Sequence, residues 1–217
     1  MGLSDILVDF EPGGRRTDGR LSGVIRAEVT EVIDSLMCGR VRVSIPSLGI
    51  EPWAPVCAPF AGKGYGLWCM PQVGDTVILA FEHGDPELPV VLGSIWTSAG
   101  DPPITQPLDA QFTRILKTPG GHALVFDDLK KEITLTHTAG HEISLGLKEI
   151  TISLAQGMGS VTLTLDGSAT VTGKTSAEVT SPRTTVAGDV TVDVKGATAT
   201  VAADATLRIS GSLVTIN

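Results

Sequence analysis

Through the second half of the chain, apolar and polar residues alternate with a period of two. Isoleucine, leucine or valine returns at every second position in residues 133–135, 143–145, 150–154, 161–165, 190–194, 207–209 and 214–216. Successive side chains of a β-strand point to opposite faces of the sheet, so this period predicts strands with one apolar face rather than helices. Glycines separate the alternating runs at short intervals, which predicts a turn after each strand.

The apolar faces of these strands carry only aliphatic side chains, because no aromatic residue follows Phe126. Ordering one residue costs about 1–2 kcal/mol of backbone entropy, and stripes of valine, isoleucine, leucine and alanine from a single chain offset that cost poorly. Several chains wound around one axis would bury the stripes in a narrow core and leave few open strand edges. The sequence therefore predicts that residues 132–217 fold as part of an assembly of several chains.

Strands of a different kind are predicted before residue 97. Short apolar runs at residues 24–29, 41–45, 73–81 and 89–96 are separated by turn signals, which is typical of a small antiparallel barrel. Residues 98–107 are rich in proline and polar residues, as in a linker. We predict an all-β chain with an N-terminal segment (1–19), a barrel (20–97), a linker (98–118) and a shaft with its apex (119–217).

The N-terminal segment contains a helical pattern. Leu3, Ile6, Leu7 and Phe10 are spaced as i, i+3, i+4 and i+7, which places them on one face of a helix. Ser4 and Asp5 can cap this helix, and the glycines at 13 and 14 end it. Two interpretations remain open: the helix folds onto the barrel, or it docks to a partner protein.

The sequence offers no convincing catalytic or metal site. His137 and His141 are four residues apart, but the residues between them predict a turn rather than the helix face that a metal site with this spacing needs. His122 follows two glycines and is also expected in a turn. The odd number of cysteines, Cys38, Cys57 and Cys69, predicts reduced thiols in small buried or half-buried positions. We expect no catalytic residue, no metal ligand and no cofactor.

Charge argues against a nucleic-acid-binding module, because 24 acidic residues against 16 lysines and arginines give a net charge of −8. Four aromatic residues that could stack on bases lie in apolar contexts, which favours the barrel core or contacts between barrels: Trp53, Tyr65, Trp68 and Trp96. A filter-binding assay at low salt would detect an electrostatic DNA binder. A secreted trimeric adhesin or fibre is a further alternative, but no basic segment precedes an apolar stretch at the N-terminus, so we expect synthesis in the cytoplasm.

Four segments in the first half resemble the OB-fold domain of contractile-tail spikes. These are CGRVRV (38–43), APFAGKGYG (58–66), MPQVGDTV (70–77) and HGDPELPVVLGS (83–94). The family includes phage baseplate assembly protein V, the VgrG proteins of type VI secretion and the spikes of phage-tail-like injection particles. Residues 118–128 and 138–145 resemble the start of the spike's β-helix, so the resemblance extends over about residues 20–217.

This resemblance implies a homotrimer in which an OB-fold barrel is followed by an intertwined triple-stranded β-helix. It implies a structural spike in the baseplate of a virion or phage-tail-like particle, which connects the hub to the tip and pierces the target envelope when the sheath contracts. The residues before the barrel leave no room for a hub domain, so a separate hub protein is expected. The absence of histidine after His141 excludes a His-x-His iron site at the apex, which is then bare or capped by a PAAR-like tip protein.

Three sets of residues follow as candidate contacts of such a spike. The trimer core is predicted to contain Ile133, Leu135, Ile143, Leu145, Ile152, Leu163, Val192 and Ile209. Hub docking is predicted for Leu3, Ile6, Leu7 and Phe10, and tip binding for Val214, Ile216 and Asn217. Nucleic acid is not expected among the partners.

Overall fold

A computed structural model describes residues 20–98, 102–104 and 106–215 of the chain. The chain divides into two compact units, Met1–Leu135 and Thr136–Asn217. The predicted hub-docking residues Leu3, Ile6, Leu7 and Phe10 lie outside the described residues, as do Ile216 and Asn217 of the predicted tip-binding set. Within the described ranges, none of the helices has the length and apolar character that crossing a bilayer requires.

The first unit contains a five-stranded antiparallel sheet with the strand order β3-β2-β1-β6-β7. Its strands are β1 (Ile25–Glu31), β2 (Arg40–Ser44), β3 (Trp53–Pro55), β6 (Thr76–Phe81) and β7 (Pro89–Ser94), and a separate ribbon pairs β4 (Ala61–Gly62) with β5 (Tyr65–Gly66). A parallel bridge joins Val56, just after β3, to Val91 of β7. This bridge brings the two edge strands together, so the sheet forms the nearly closed barrel of an OB-fold.

The barrel core is built from alternate residues of its strands. Val29 of β1, Val43 of β2 and Leu79 of β6 are completely buried. The other buried members of this core are Ala27, Val41, Ile45, Ala54, Val77 and Val91. Burying a valine or leucine side chain contributes about 1.5–3 kcal/mol, so these inward positions supply much of the stability of the barrel.

The four barrel strands predicted from the apolar runs are all present; β6 and β7 are shorter than their runs, whereas β1 is one residue longer than its run. The sequence did not predict β3, β4 or β5, because strands of two or three residues are too short to show a period. Strand β8 (Thr113–Lys117) lies within the predicted linker (98–118) but after the proline-rich residues 98–107. Within the part of the chain that the structure describes, short 3₁₀ helices occupy Glu82–Gly84, Asp109–Gln111 and Ala155–Gly157.

The alternating runs of the second half form strands as far as residue 164: β10 (Glu132–Thr136), β11 (Glu142–Leu145), β12 (Glu149–Ser153) and β13 (Gly159–Thr164). Two strands outside those runs flank them, β9 (Ala123–Asp127) and β14 (Ala169–Gly173). In the first unit, β8 and β9 form an antiparallel hairpin. In the second unit, β11 to β14 form an antiparallel meander in which each strand pairs with the next.

Residues 174–215 contain no strand in the single chain, and all of their side chains are exposed. The strands predicted at 190–194 and 207–209 are therefore not formed here, and Val192 and Ile209 are 53% and 66% exposed. A strand exists only when its backbone is hydrogen-bonded to a neighbouring strand. Within the described residues this segment has no such neighbour in its own chain, which is why its alternating pattern is not sufficient to form a sheet.

Candidate interaction surfaces

The meander of the second unit presents two apolar rows on one face. Directly paired residues of antiparallel strands share a face, and the pairing aligns aliphatic side chains across all four strands. One row contains Ile143, Ile152, Val161 and Val171, and the other contains Leu145, Ile150, Leu163 and Ala169. We call these eight residues the apolar face of the meander.

This apolar face is open to solvent in the single chain. Ile152 is 48% exposed and Leu163 is 47% exposed, whereas Thr151 and Thr162 on the opposite face are half-buried. An apolar surface that is continuous over several strands usually marks an interaction site. The meander therefore places its larger aliphatic side chains where a partner can cover them.

The structure brings together some of the predicted trimer-core residues and leaves others apart. Ile143, Leu145, Ile152 and Leu163 all belong to the apolar face of the meander. Ile133 and Leu135 share one face of β10 and are 38% and 49% exposed. Three other predicted contact residues lie outside any strand in the single chain: Val192, Ile209 and the predicted tip residue Val214. Because they belong to no sheet, they share no face with one another or with the meander.

The turn between β10 and β11 confirms the expected positions of His137 and His141. The backbone N–H of His137 donates to the carbonyl of His141 at 2.8 Å, and Gly140 closes the turn with a φ of +85°. The two imidazole rings lie 5.5 Å apart. Each Nδ1 accepts a backbone hydrogen bond, from Ala139 at 3.0 Å and from Ala155 at 3.1 Å. These rings therefore stabilise the turn and the neighbouring loop.

His122 also lies in a turn, as predicted. The backbone N–H of Thr118 donates to the carbonyl of His122 at 2.9 Å. Among the described residues, no group of three or more histidine, cysteine or acidic side chains lies close enough together to hold a metal ion.

Asp166 stabilises the turn between β13 and β14. Its carboxylate accepts a hydrogen bond from the Thr164 hydroxyl and another from the backbone N–H of Ser168 at 2.9 Å. The Thr164 hydroxyl and then Ser168 lower the pKa of Asp166 to about 2. The carboxylate is therefore ionised at neutral pH and holds the last hairpin of the meander closed.

A second candidate surface lies on the barrel, at a cavity of about 510 Å³. All three cysteines line this cavity, and all three are exposed. The expectation that Cys38, Cys57 and Cys69 are buried or half-buried is therefore wrong. The physical reason is their place in the chain: each lies outside the barrel strands, where an apolar residue is not carried into the core.

Aromatic residues around the barrel are exposed as well. Tyr65, Trp68 and Trp96 are 68%, 71% and 68% exposed, and Trp53 is partly exposed. The barrel-core alternative for these residues is therefore wrong, because valine, isoleucine, leucine and alanine already fill the narrow interior. Contacts between barrels, the other alternative, remain a prediction.

Beside this cavity, Asp34 organises the loop between β1 and β2. Its carboxylate accepts hydrogen bonds from the backbone N–H groups of Leu36 at 3.1 Å and Cys38 at 2.9 Å. The guanidinium of Arg40 adds a bidentate contact, with Nη2 at 2.7 Å and Nε at 3.1 Å. The Asp34 side chain is only 6% exposed. The hydrogen bond from Arg40, followed by those from Cys38 and Leu36, holds the pKa of Asp34 far below its ordinary value of 3.8.

We expect Asp34→Asn to lower the melting temperature at pH 7, because the amide cannot replace an ionised acceptor of four hydrogen bonds. A carboxyl whose pKa is depressed on folding contributes stability that is complete above its unfolded pKa and is lost as the pH falls through the folded pKa. The difference between wild type and variant should therefore shrink below about pH 4. Thermal unfolding between pH 7 and pH 2 measures it, with Asp109→Asn as a control for loss of an exposed carboxylate. A difference that stays constant over this range would contradict the prediction.

Comparison with known proteins finds a family match in each half of the chain. Residues 25–96 match the type VI secretion system/phage-baseplate injector OB domain, which agrees with the observed barrel. Residues 113–174 match the phage baseplate V C-terminal trimerisation domain, a stretch that runs from the start of β8 to the end of β14. The trimerisation domain fits a homotrimer, and it contains the apolar face of the meander.

Two similar relatives are named as spike proteins of type VI secretion, and a third is named as a toxin. The spike protein VgrG4b of Pseudomonas aeruginosa is 38% identical over 117 residues, which cover 49% of this chain and 14% of that protein. The spike protein VgrG3 of Vibrio cholerae serotype O1 is 28% identical over 124 residues, covering 54% of this chain and 12% of that protein. The actin cross-linking toxin VgrG1 of the same species is 32% identical over 101 residues, covering 43% of this chain and 9% of the toxin.

This chain therefore aligns with only 9–14% of the length of each of these relatives. The barrel match, the trimerisation match that follows it along the chain and the spike relatives all support one family. This chain belongs to the family of VgrG-like and baseplate V-like spike proteins.

Proposed function

We propose that this protein is the structural central spike of a contractile injection machine, and that it acts as a homotrimer in the baseplate of a phage tail or a phage-tail-like particle. The observation that carries the proposal is the apolar face of the meander, which is exposed in one chain and lies within the residues matched to a trimerisation domain. Three copies would turn these faces toward a common axis and bury them together.

The proposed mechanism is mechanical and involves no catalysis. A core of small aliphatic side chains allows three chains to approach closely, because no aromatic ring after Phe126 separates them. Pairing between chains would also give residues 174–215 the neighbouring strands that they lack in the single chain. The result would be a narrow, stiff shaft that concentrates the force of sheath contraction on a small area of the target envelope.

Two further contacts complete the proposed assembly. Leu3, Ile6, Leu7 and Phe10 would dock to a hub protein at the base. Val214, Ile216 and Asn217 of three chains would form a small platform for a PAAR-like tip protein at the apex. We propose that the chain is made in the cytoplasm and joins the baseplate during assembly.

The experiment that tests this role locates the protein in its native particle. Antibody against the chain, visualised by immunogold electron microscopy, should label the baseplate end of contractile particles. Cells that lack the chain should make no particles with complete baseplates, and the wild-type gene supplied in trans should restore them. Label along the tube or sheath, or normal baseplates without the chain, would contradict the proposal. The structure to which the labelled baseplate is attached would distinguish a phage from a secretion system: a tail with a capsid indicates a phage, and an apparatus anchored in the cell envelope indicates a secretion system.

A further inference from the structure

The three cysteines gather at one place on the barrel although they are well separated in the chain. Cys38, Cys57 and Cys69 all line the cavity of about 510 Å³, and all three are free and exposed. A cysteine that serves only as a small apolar residue is usually buried. A thiol that is open to solvent can instead react with an oxidant or with a second thiol. Which two of the three can react together depends on how the fold places them.

A backbone hydrogen bond brings the segments of Cys38 and Cys57 together. It continues the pairing of β2 with β3 beyond the strand ends, from the N–H of Val56 to the carbonyl of Gly39 at 3.0 Å. Cys57 comes directly after Val56, and Cys38 comes directly before Gly39. The chains run antiparallel here, so both cysteines lie on the same side of this hydrogen bond. Each is therefore one residue away from a direct backbone contact between the two segments.

The thiol of Cys38 is free to turn toward Cys57. Its Sγ donates only a weak hydrogen bond, to the carbonyl of Leu36 at 3.3 Å. Gly39 has a φ of +71°, so the chain bends there and Cys38 belongs to the loop before β2 rather than to the strand. A change of the Cys38 rotamer therefore breaks no strand pairing.

We propose that Cys38 and Cys57 form a disulfide within one chain when the protein meets an oxidant of the disulfide class, and that Cys69 stays a free thiol. Cys69 lies in the stretch 67–72, which belongs to no strand, so strand pairing does not hold it beside either partner. The assignment rests on these contacts and holds whether or not the chain is a spike. A spike made in the cytoplasm would meet the oxidant only after it leaves that compartment, because cytosolic thiols are kept reduced.

The reaction is a thiol–disulfide exchange in two steps. One cysteine thiolate attacks a sulfur of the external disulfide, which forms a mixed disulfide and releases one thiolate. The second cysteine thiolate attacks the protein sulfur of the mixed disulfide, which forms the Cys38–Cys57 bond and releases the other thiolate. The two cysteines lose two electrons and two protons. The external disulfide takes up both electrons, and the protons reach the two released thiolates through water.

The new bond would reinforce the closure of the barrel. The N–H of Cys57 donates to the carbonyl of Val91 at 2.9 Å, beside the bridge between Val56 and Val91 that closes the barrel. A disulfide from Cys57 to Cys38 would fasten this seam to the loop that precedes β2. A crosslink of this kind mainly restricts the unfolded chain, so oxidation should make the barrel harder to unfold.

Peptide mapping of the full-length protein tests the pairing, because trypsin places the three cysteines in three different peptides: 27–40 with Cys38, 43–63 with Cys57 and 64–114 with Cys69. Protein purified with reductant is incubated with oxidised glutathione, alkylated with iodoacetamide and digested without reductant. Mass spectrometry should find peptides 27–40 and 43–63 linked to each other and peptide 64–114 alkylated. A link that includes peptide 64–114, covalent dimers on a non-reducing gel, or three unlinked peptides would overturn the inference.

Serine variants provide matched controls and measure the effect of the bond. Cys69→Ser should keep the link, and Cys57→Ser should lose it. Oxidation should lower the equilibrium constant for unfolding in urea at least about tenfold in wild type and Cys69→Ser, and should leave it unchanged in Cys57→Ser. Equal responses of the two variants would count against the proposed pair. Light scattering of the same samples reports assembly separately: a monomer with the linked pair contradicts the proposed spike and supports this inference, and a trimer without the pair does the reverse.

Discussion

Leu163→Asp is expected to convert the assembled protein into monomers. Leu163 lies in the middle of the apolar face, directly opposite Ile150 on one side and Ala169 on the other. Three copies of the variant would place three carboxylates around one dry axis, and burying like charges without partners costs on the order of several kcal/mol for each group. Light scattering should then report the 22.5 kDa of a single chain instead of three times that mass.

A matched control comes from the next residue of the same strand. Thr162 lies on the opposite face of β13, where it pairs with Thr151 and Thr170. Thr162→Asp introduces the same charge and the same poor strand former, but on the polar face, so the trimer should persist. All tryptophans of the chain precede residue 97, so their fluorescence reports on the barrel alone. We expect the barrel to stay folded in both variants, so this signal should still show a cooperative unfolding transition in urea. Trimers of Leu163→Asp would show that the apolar face is not the assembly surface.

Leu79→Ala should produce the largest loss of stability in the barrel. Leu79 is completely buried in β6 and is one of the larger side chains of the core. Truncating a buried leucine removes its apolar contacts and leaves a cavity, which together cost about 2–5 kcal/mol. Many small domains have a total stability of only about 5–15 kcal/mol, so the barrel should unfold at a markedly lower denaturant concentration. Tryptophan fluorescence during urea titration measures the change.

The same substitution at Leu108 serves as the control for this experiment. Leu108 is 77% exposed and lies outside the strands, so Leu108→Ala should change the stability by no more than about 0.5 kcal/mol. The trimer should survive both changes, because neither residue belongs to the segment matched to the trimerisation domain. An equal shift of the urea midpoint in both variants would contradict the assignment of Leu79 to the core.

The alternating sequence determined the class of the fold and the residues of the barrel interior. Val41, Val43 and Ile45 alternate with polar residues, and all three are completely buried in the structure. The strands β10 to β13 also lie where the alternation predicts them, because a period of two is compatible with an extended backbone and with little else. A different short-range signal, the turn-forming residues and glycines beside them, correctly placed the histidines in turns.

Tertiary structure alone decided which apolar residues are covered. Cys57, Trp68 and Val192 all occupy apolar contexts in the sequence, yet all three are exposed in the single chain. Periodicity describes the faces of a strand but does not state what lies against each face. That depends on strand pairing over long distances in the chain, such as the bridge between Val56 and Val91 that closes the barrel. Residues 174–215 carry the alternating pattern without such a neighbour in their own chain, and for that physical reason the pattern alone does not make them a sheet.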